Sequence, residues 1–281
     1  MRSKTLNQLF RQAARKLSCS ACPFLEARLL IQMAGRMTES DFFQNLDSPV
    51  PKGLENRLNR LVKKRKAGWP MAYLLGKKEF WSLEFKVNRW VFIPRPETEL
   101  VVEKVLSLPL PEKPRILDVG TGSGNIAIAL AKELPSARVI ASDLSKRALK
   151  IARENARKNQ VKNVEFVQSN LLYFFLKSNL LFDLIVSNPP YVAEKEWKKL
   201  DRPVRDFEPK RALVAGPSGL EIIEKLIKQA WFCLKPGGYL VMEIGATQEK
   251  TVLELFSSGW GQMEILPDYS GLPRVFSARK D

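Results

Sequence analysis

An α/β fold, with a mostly parallel sheet and a small helical domain ahead of it, is what the sequence predicts. Three features carry that prediction. From residue 115 onward, short apolar runs of buried-strand type alternate with segments of helical periodicity. The first of those runs ends in a glycine-rich turn that opens directly into a helix, the place where such sheets hold ligands. The first third differs in pattern and in charge: residues 1–93 carry 18 Lys and Arg against 7 Asp and Glu, whereas the remainder carries 28 against 23.

Leu6, Leu9, Phe10, Ala13, Ala14 and Leu17 recur at three- and four-residue spacing and predict an opening helix. That reading takes precedence over a transit peptide, which the lack of acids in the first 25 residues would also allow. Phe24 to Ala34 is rich in helix formers, with Gly35 as the expected C-terminal cap. Residues 39–46 suit a further short helix. Leu54, Leu58, Leu61 and Val62 mark an amphipathic helix that closes on Lys63-Lys64-Arg65-Lys66, favourable to the helix dipole and also readable as a partner-binding patch. Between Trp69 and Phe92 the pattern changes, and Phe80, Trp81, Phe85 and Val87 predict two short strands in a hairpin, punctuated by Pro94 and Pro96. The expected boundaries are therefore a helical domain at 1–68, a β-hairpin linker at 69–93 and the α/β domain at 94–281.

Within the last, strands are expected at 115–119, 138–142, 164–167, 182–187 and 239–244, and helices at 126–134, 146–159 and 220–234. The β-α-β succession implies right-handed crossovers, with ligands bound beyond the C-terminal strand ends.

Composition removes whole classes of chemistry. Histidine is absent, so no imidazole base, histidine-bearing triad or histidine-dependent zinc or iron site can be built. Cys19, Cys22 and Cys233 cannot make a disulfide framework, and the lone C-x-x-C of the first two lacks further ligands for a metal; no metal and a reducing, cytoplasmic setting are expected. No run approaches the ~20 apolar residues of a membrane span, so no membrane partner is expected. The basic first third points to an anionic partner, nucleic acid or an acidic protein, with general solubility as the plainer account.

Two motifs carry chemistry. Strand 115–119 runs into Asp118-Val119-Gly120-Thr121-Gly122-Ser123-Gly124, where alternate glycines let a ligand lie against bare main chain and the following helix offers N–H groups. The spacing departs from the nicotinamide fingerprint, and the Gly-Lys-Ser/Thr of a P-loop is missing. Asp143 ends the second strand, placed to accept hydrogen bonds from both hydroxyls of a ribose; capping the next helix is the competing role, unless Ser145 takes it. Strand 182–187 delivers Asn188-Pro189-Pro190-Tyr191. The prolines stiffen the loop, so that the Asn188 side-chain oxygen and the Pro189 carbonyl can hold the two hydrogens of a planar NH₂ group against the Tyr191 ring. Such a site would align a weak nitrogen nucleophile with an electrophilic carbon without a base.

Together the motifs resemble the S-adenosylmethionine-dependent methyltransferases that act on exocyclic or amide nitrogens, and thus a Rossmann-like class I methyltransferase domain. The rest of the chain narrows the resemblance. Pro70-x-Ala72-Tyr73-x-Leu75-Gly76, Glu79-Phe80, Phe85-x-Val87 and Ile93-Pro94-Arg95-Pro96-Glu97-Thr98-Glu99 look like the peptide chain release factor glutamine methyltransferase family. So do Phe207-Glu208-Pro209, Ala212-Leu213, Gly219-Leu220, Pro236-Gly237-Gly238, Glu243-Ile244-Gly245 and Arg274-Val275. The resemblance implies methylation of the side-chain amide nitrogen of the glutamine in the Gly-Gly-Gln loop of release factors. It implies that Gly120, Thr121, Gly122, Ser123, Gly124, Asp143, Leu171 and Asn188 hold S-adenosylmethionine, that Asn188, Pro189, Pro190 and Tyr191 hold the glutamine, and that the helical domain binds the release factor. The chain departs from the family at Ser169-Asn170-Leu171, where an acidic pair is usual, and at Gly216-Pro217-Ser218-Gly219, where an acid is expected before the glycine. A nucleic-acid adenine N6-methyltransferase is the competing enzyme, and a non-catalytic cofactor-binding adaptor the competing non-enzyme; direct nucleic-acid binding is not expected, since no sequence-reading domain is evident.

Overall fold

The computed structural model describes residues 4–281, which divide into two units: residues up to Lys77 together with Arg202–Phe207, and 78–201 together with 208–281.

The first unit is helical because its apolar residues can share one core only at helical spacing. Helix Leu6–Lys16 starts at Thr5, whose hydroxyl accepts the Gln8 amide N–H at 3.3 Å while Gln8 Oε1 accepts the Thr5 N–H at 3.1 Å. Its buried face meets Ala27, Leu30 and Ile31 of helix Pro23–Gly35 and Leu54, Leu58 and Val62 of helix Leu54–Lys66. Gly35 is not the cap that the sequence suggested. It remains helical, and Arg36 takes the left-handed conformation (φ 53°); a side chain at Gly35 would collide with Met37, whose Cε lies 2.4 Å from the Cβ position. The basic run is likewise divided in its roles. Arg65 turns inward to a bidentate pair with Glu26, both contacts at 2.8 Å, while Lys63, Lys64 and Lys66 stay exposed. Residues Met71–Leu75, read from sequence as part of the hairpin linker, form a further short helix of this unit.

A hairpin follows, β1 (Lys77–Phe80) and β2 (Leu83–Lys86), joined through Trp81 and Ser82 at φ 52° and 54°. Both turn residues pay for left-handed backbone, and Trp81 is held there by its N–H to Glu99 and its indole N–H to Glu133, each 2.8 Å. The sheet follows: β3 (Arg115–Val119), β4 (Arg138–Asp143), β5 (Val164–Gln168), β6 (Phe182–Ser187), the short pair β7 (Val192–Ala193) and β8 (Val214–Gly216), then β9 (Leu234–Glu243), β10 (Trp260–Pro267) and β11 (Pro273–Lys280). Seven of these make one sheet in the order β10-β11-β9-β6-β3-β4-β5, parallel from β9 to β5 and antiparallel at β11 and β10. Helices 99–106 and 125–133 cover one face and helices 173–178, 221–233 and 249–253 the other. The chain steps outward from β3 through β4 to β5 and then returns to β6 on the other side of β3. That reversal opens a crevice at the C-terminal ends of β3 and β6.

Candidate active site

A cavity occupies the crevice, walled by residues from the ends of β3, β4, β5 and β6 and roofed by Trp90, Phe92, Pro94 and Thr98. Gly120, Thr121, Gly122, Ser123, Asp143, Leu171, Asn188, Pro190 and Tyr191 line it; Gly124 and Pro189 do not.

Four N–H groups of the glycine turn are engaged within the protein. The N–H groups of Gly120 and Thr121 both donate to the Ser142 carbonyl at 2.8 Å, that of Gly122 to Asp143 Oδ2 at 3.0 Å and that of Gly124 to the Thr121 carbonyl at 2.8 Å. Below it, the buried carboxyl of Asp118 accepts the Thr121 hydroxyl (2.6 Å) and the Ala127 amide (3.2 Å), while its Oδ1 has no partner among the described residues. Burial pushes that carboxyl up to about 7. With four of its amides engaged and the Asp143 carboxylate beside it, the turn disfavours phosphate and suits a phosphate-free ligand. Asn155, buried in helix 146–158, ties the turn to the hairpin: its side chain donates to the carbonyls of Ser123 (2.8 Å) and Lys86 (3.0 Å) and accepts the Lys86 amide (2.7 Å).

Gly124 serves packing. At φ 84° its Cβ position lies 2.9 Å from Ile128 Cδ1 and 3.1 Å from Ala152 Cβ, so only glycine lets helices 125–133 and 146–158 approach this closely. The helix cap after β4 falls to Ser145, whose hydroxyl accepts the Ala148 N–H at 3.2 Å. Asp143 accepts one backbone N–H on each oxygen, from Ser145 at 2.7 Å and Gly122 at 3.0 Å. Each oxygen keeps a lone pair for a ligand hydroxyl. Burial raises its pKa, and the two N–H bonds and the Arg211 charge oppose the rise.

At the end of β6 the Asn188 side chain donates through Nδ2 to Glu243 Oε2 (2.8 Å) and to Thr98 Oγ1 (3.0 Å). Thr98 donates its own proton to Glu243 Oε2 at 2.6 Å, and the Tyr191 hydroxyl donates to Oε1 at 2.9 Å. Glu243 ends β9 next to β6 and is buried with all three partners around it. Burial raises the pKa of Glu243, and burial with the Glu243 charge raises that of Tyr191. The Tyr191 carbonyl is held in turn by the Gln248 amide (3.0 Å), which also donates to the Gly219 carbonyl (3.2 Å). In the Gly216-Pro217-Ser218-Gly219 turn, Glu221 accepts the N–H of Ser218 at 2.7 Å and of Gly219 at 3.0 Å. Glu208, buried, accepts the Ile93 amide (3.1 Å) and pairs with Arg95, which anchors the proline-rich segment that roofs the cavity.

Residues 8–76 match the family described as the PrmC N-terminal domain, and residues 111–259 match the methyltransferase domain family. The release factor glutamine methyltransferase of Koribacter versatilis (strain Ellin345) is 40% identical over 98% of this chain and 99% of its own length. The chain belongs to the release factor glutamine methyltransferase family. The Moorella thermoacetica (strain ATCC 39073 / JCM 9320) member is also 40% identical, over 98% of both chains. A methyltransferase structure from Pyrococcus furiosus, 20% identical, aligns with 80% of this chain and 98% of its own at a TM-score of 0.53, which supports the class I methyltransferase fold.

Within this family member, Thr98 and Glu243 stand in motifs that the sequence analysis quoted without giving them a role, and Asn155 and Gln248 lie outside every motif; all four build the site. Glu243 had a signal: a carboxylate ending an apolar strand of buried type. Asn155 and Gln248 had none, because a buried amide is worth its contacts and these are with residues distant in sequence. Cys19 and Cys22 are exposed and Cys233 is buried; no group of metal ligands occurs among the described residues. No helix among them is long and apolar enough to cross a membrane.

Proposed function

We propose that this enzyme transfers a methyl group from S-adenosylmethionine to the side-chain amide nitrogen of a release-factor glutamine, the one in the Gly-Gly-Gln loop. The observation that carries the reading is the Asn188 amide: both its hydrogens are used inside the protein, so its side-chain oxygen is what it offers to the cavity. The cavity lining holds Asp143, Tyr191 and Arg211 as its titratable side chains, and Asp143 is engaged with two backbone amides. A site that orients an NH₂ group and lacks a free base suits an amide nitrogen, whose proton need not leave before attack.

The residues fit the cofactor. Gly120 and Gly122 present bare main chain, Asp143 would take the ribose hydroxyls, and Leu171 with the Asn170 carbonyl oxygen would cover the adenine. S-adenosylmethionine supplies an electrophilic methyl on a sulfonium. The chain supplies orientation: the Asn188 side-chain oxygen holds the acceptor nitrogen, Pro189 and Pro190 stiffen the loop, and Tyr191, tethered through its hydroxyl, lays its ring against the amide plane. Alignment of this kind is worth roughly 7–11 kcal/mol.

The helical unit is proposed to bind the release factor. Helix 54–66 presents Arg57, Arg60, Leu61 and Lys64 on one face, and with Met33, Ala34 and Arg36 they form a groove with an apolar floor and a cationic rim. Among the described residues none of these four cations forms an ion pair, in contrast to Arg65 and Arg28. The groove suits an acidic face of the substrate protein.

The test is incubation with S-[methyl-³H]adenosylmethionine and, separately, release factor, release factor with its Gly-Gly-Gln glutamine replaced, and duplex DNA. Label is expected in the first alone; label in DNA would establish the adenine-modifying alternative.

A further inference from the structure

We propose that Glu243 is the positioning residue that sets which end of the Asn188 amide faces the acceptor nitrogen. An amide side chain has a donor end and an acceptor end of nearly the same size, so shape alone does not choose between them. Only the oxygen-out orientation can accept a hydrogen bond from a substrate NH₂; the reversed one presents a second NH₂ to it.

The choice is made behind the loop. An ionised carboxylate accepts only, and Glu243 Oε2 lies 2.8 Å from Asn188 Nδ2. Thr98 has one hydroxyl proton and commits it to the same Oε2 at 2.6 Å, which leaves its oxygen as an acceptor for the second Nδ2 hydrogen at 3.0 Å. Reversing the amide would set its oxygen against a carboxylate oxygen and a hydroxyl lone pair. Oε1 takes the Tyr191 hydroxyl at 2.9 Å, so the same carboxylate also holds the ring expected to lie against the substrate. Asn188, Tyr191 and Thr98 come from different parts of the chain, and Glu243 is the one group bonded to all three.

This rests on the reading of Asn188 as the residue that holds the acceptor amide. It adds that the charge on Glu243, not merely its bulk, is required. A protonated Glu243 has a donor of its own, and the bias on the amide weakens. The titratable groups facing Glu243 are the Tyr191 hydroxyl, the Arg274 guanidinium and, at longer range, Glu97. Burial raises the Glu243 pKa, so the bias is lost on the acid side.

The experiment compares wild type, Glu243→Gln, Glu243→Leu and Asn188→Ala by kcat and KM on intact release factor across pH 5.5–9, with S-adenosylmethionine affinity measured by calorimetry. Glu243→Gln keeps the size of the side chain but exchanges one acceptor oxygen for an NH₂ donor, and unchanged S-adenosylmethionine affinity checks that its site is folded; it decides the matter. It is expected to lower kcat several-fold with cofactor affinity unchanged, and to lack the acid-side fall in kcat expected of wild type. Glu243→Leu is expected to approach the loss in Asn188→Ala, on the order of 100-fold. Should Glu243→Gln match wild type in kcat and keep the same acid limb while Asn188→Ala is slow, Glu243 does not orient the amide, although the Asn188 reading stands. If Asn188→Ala is itself unimpaired, that reading falls and this proposal falls with it.

Discussion

Alanine at Gly124 and alanine at Gly120 should separate two roles that one sequence motif combines. Both glycines have left-handed backbone, φ 84° and 75°, so either substitution incurs about 1–2 kcal/mol of backbone strain. Stiffening of the unfolded chain returns roughly 0.4–1 kcal/mol in each case and cancels from the comparison. The difference lies in what the new methyl meets. At Gly120 nothing lies within 4 Å of the Cβ position. At Gly124 the methyl lands 2.9 Å from Ile128 Cδ1, 3.1 Å from Ala152 Cβ and 3.4 Å from Ala152 Cα, two helices that cannot separate without opening the core on that face. Overpacking of this kind costs about 1–3 kcal/mol more. Urea unfolding should therefore rank Gly124→Ala below Gly120→Ala in midpoint at the same m-value. Calorimetric titration with S-adenosylmethionine should rank them in the opposite order, because Gly120 lines the cavity and Gly124 does not. Equal unfolding midpoints, or a larger affinity loss in Gly124→Ala than in Gly120→Ala, would refute the assignment of Gly124 to helix packing.

Asp143→Ala should weaken S-adenosylmethionine binding by on the order of tenfold to a hundredfold, the worth of hydrogen bonds to a charged group of roughly 1.5–3 kcal/mol, and calorimetry reads it directly. Asp118 sets a pH dependence of stability. Its folded pKa of about 7 lies above the ordinary 3.8, so the stabilisation is complete below pH 4 and is lost as the pH rises to 7, about 4 kcal/mol from this group. Asp118→Asn should flatten the change in urea midpoint between pH 4 and pH 8; an unchanged slope would show that another group carries it. Reversing Arg60 and Lys64 to glutamate should slow association with release factor and weaken its salt dependence in stopped-flow measurements, with S-adenosylmethionine affinity unaltered. Arg65 must be left in place, because its partner Glu26 is buried and would lose its counter-charge.

Much of the α/β domain was legible because a parallel strand buried on both faces has to be continuously apolar. The runs at 115–119 and 182–187 gave β3 and β6 to the residue, and the glycine turn and the Asn-Pro-Pro-Tyr loop stood where they were expected, at the carboxyl ends of those strands. β10 escaped notice for the converse reason. As an edge strand with most of its residues partly or fully exposed, it needs no apolar run, and β11 lies between it and β9. The helix at 71–75 is five residues long, too short for periodicity to register.

Local chemistry, then, was enough for the class of fold and for placing the glycine turn, Asp143 and the Asn-Pro-Pro-Tyr loop at strand ends, because each depends on residues adjacent in the chain. Only the tertiary structure could say that Gly124 packs helices, that four of the turn's amides are engaged within the protein, and that Glu243 gathers Thr98, Asn188 and Tyr191. Those facts depend on pairs up to 145 residues apart, such as Thr98 and Glu243. A buried polar group is tolerable only when its partners are supplied, and which partners reach it is decided by the order of strands in the sheet.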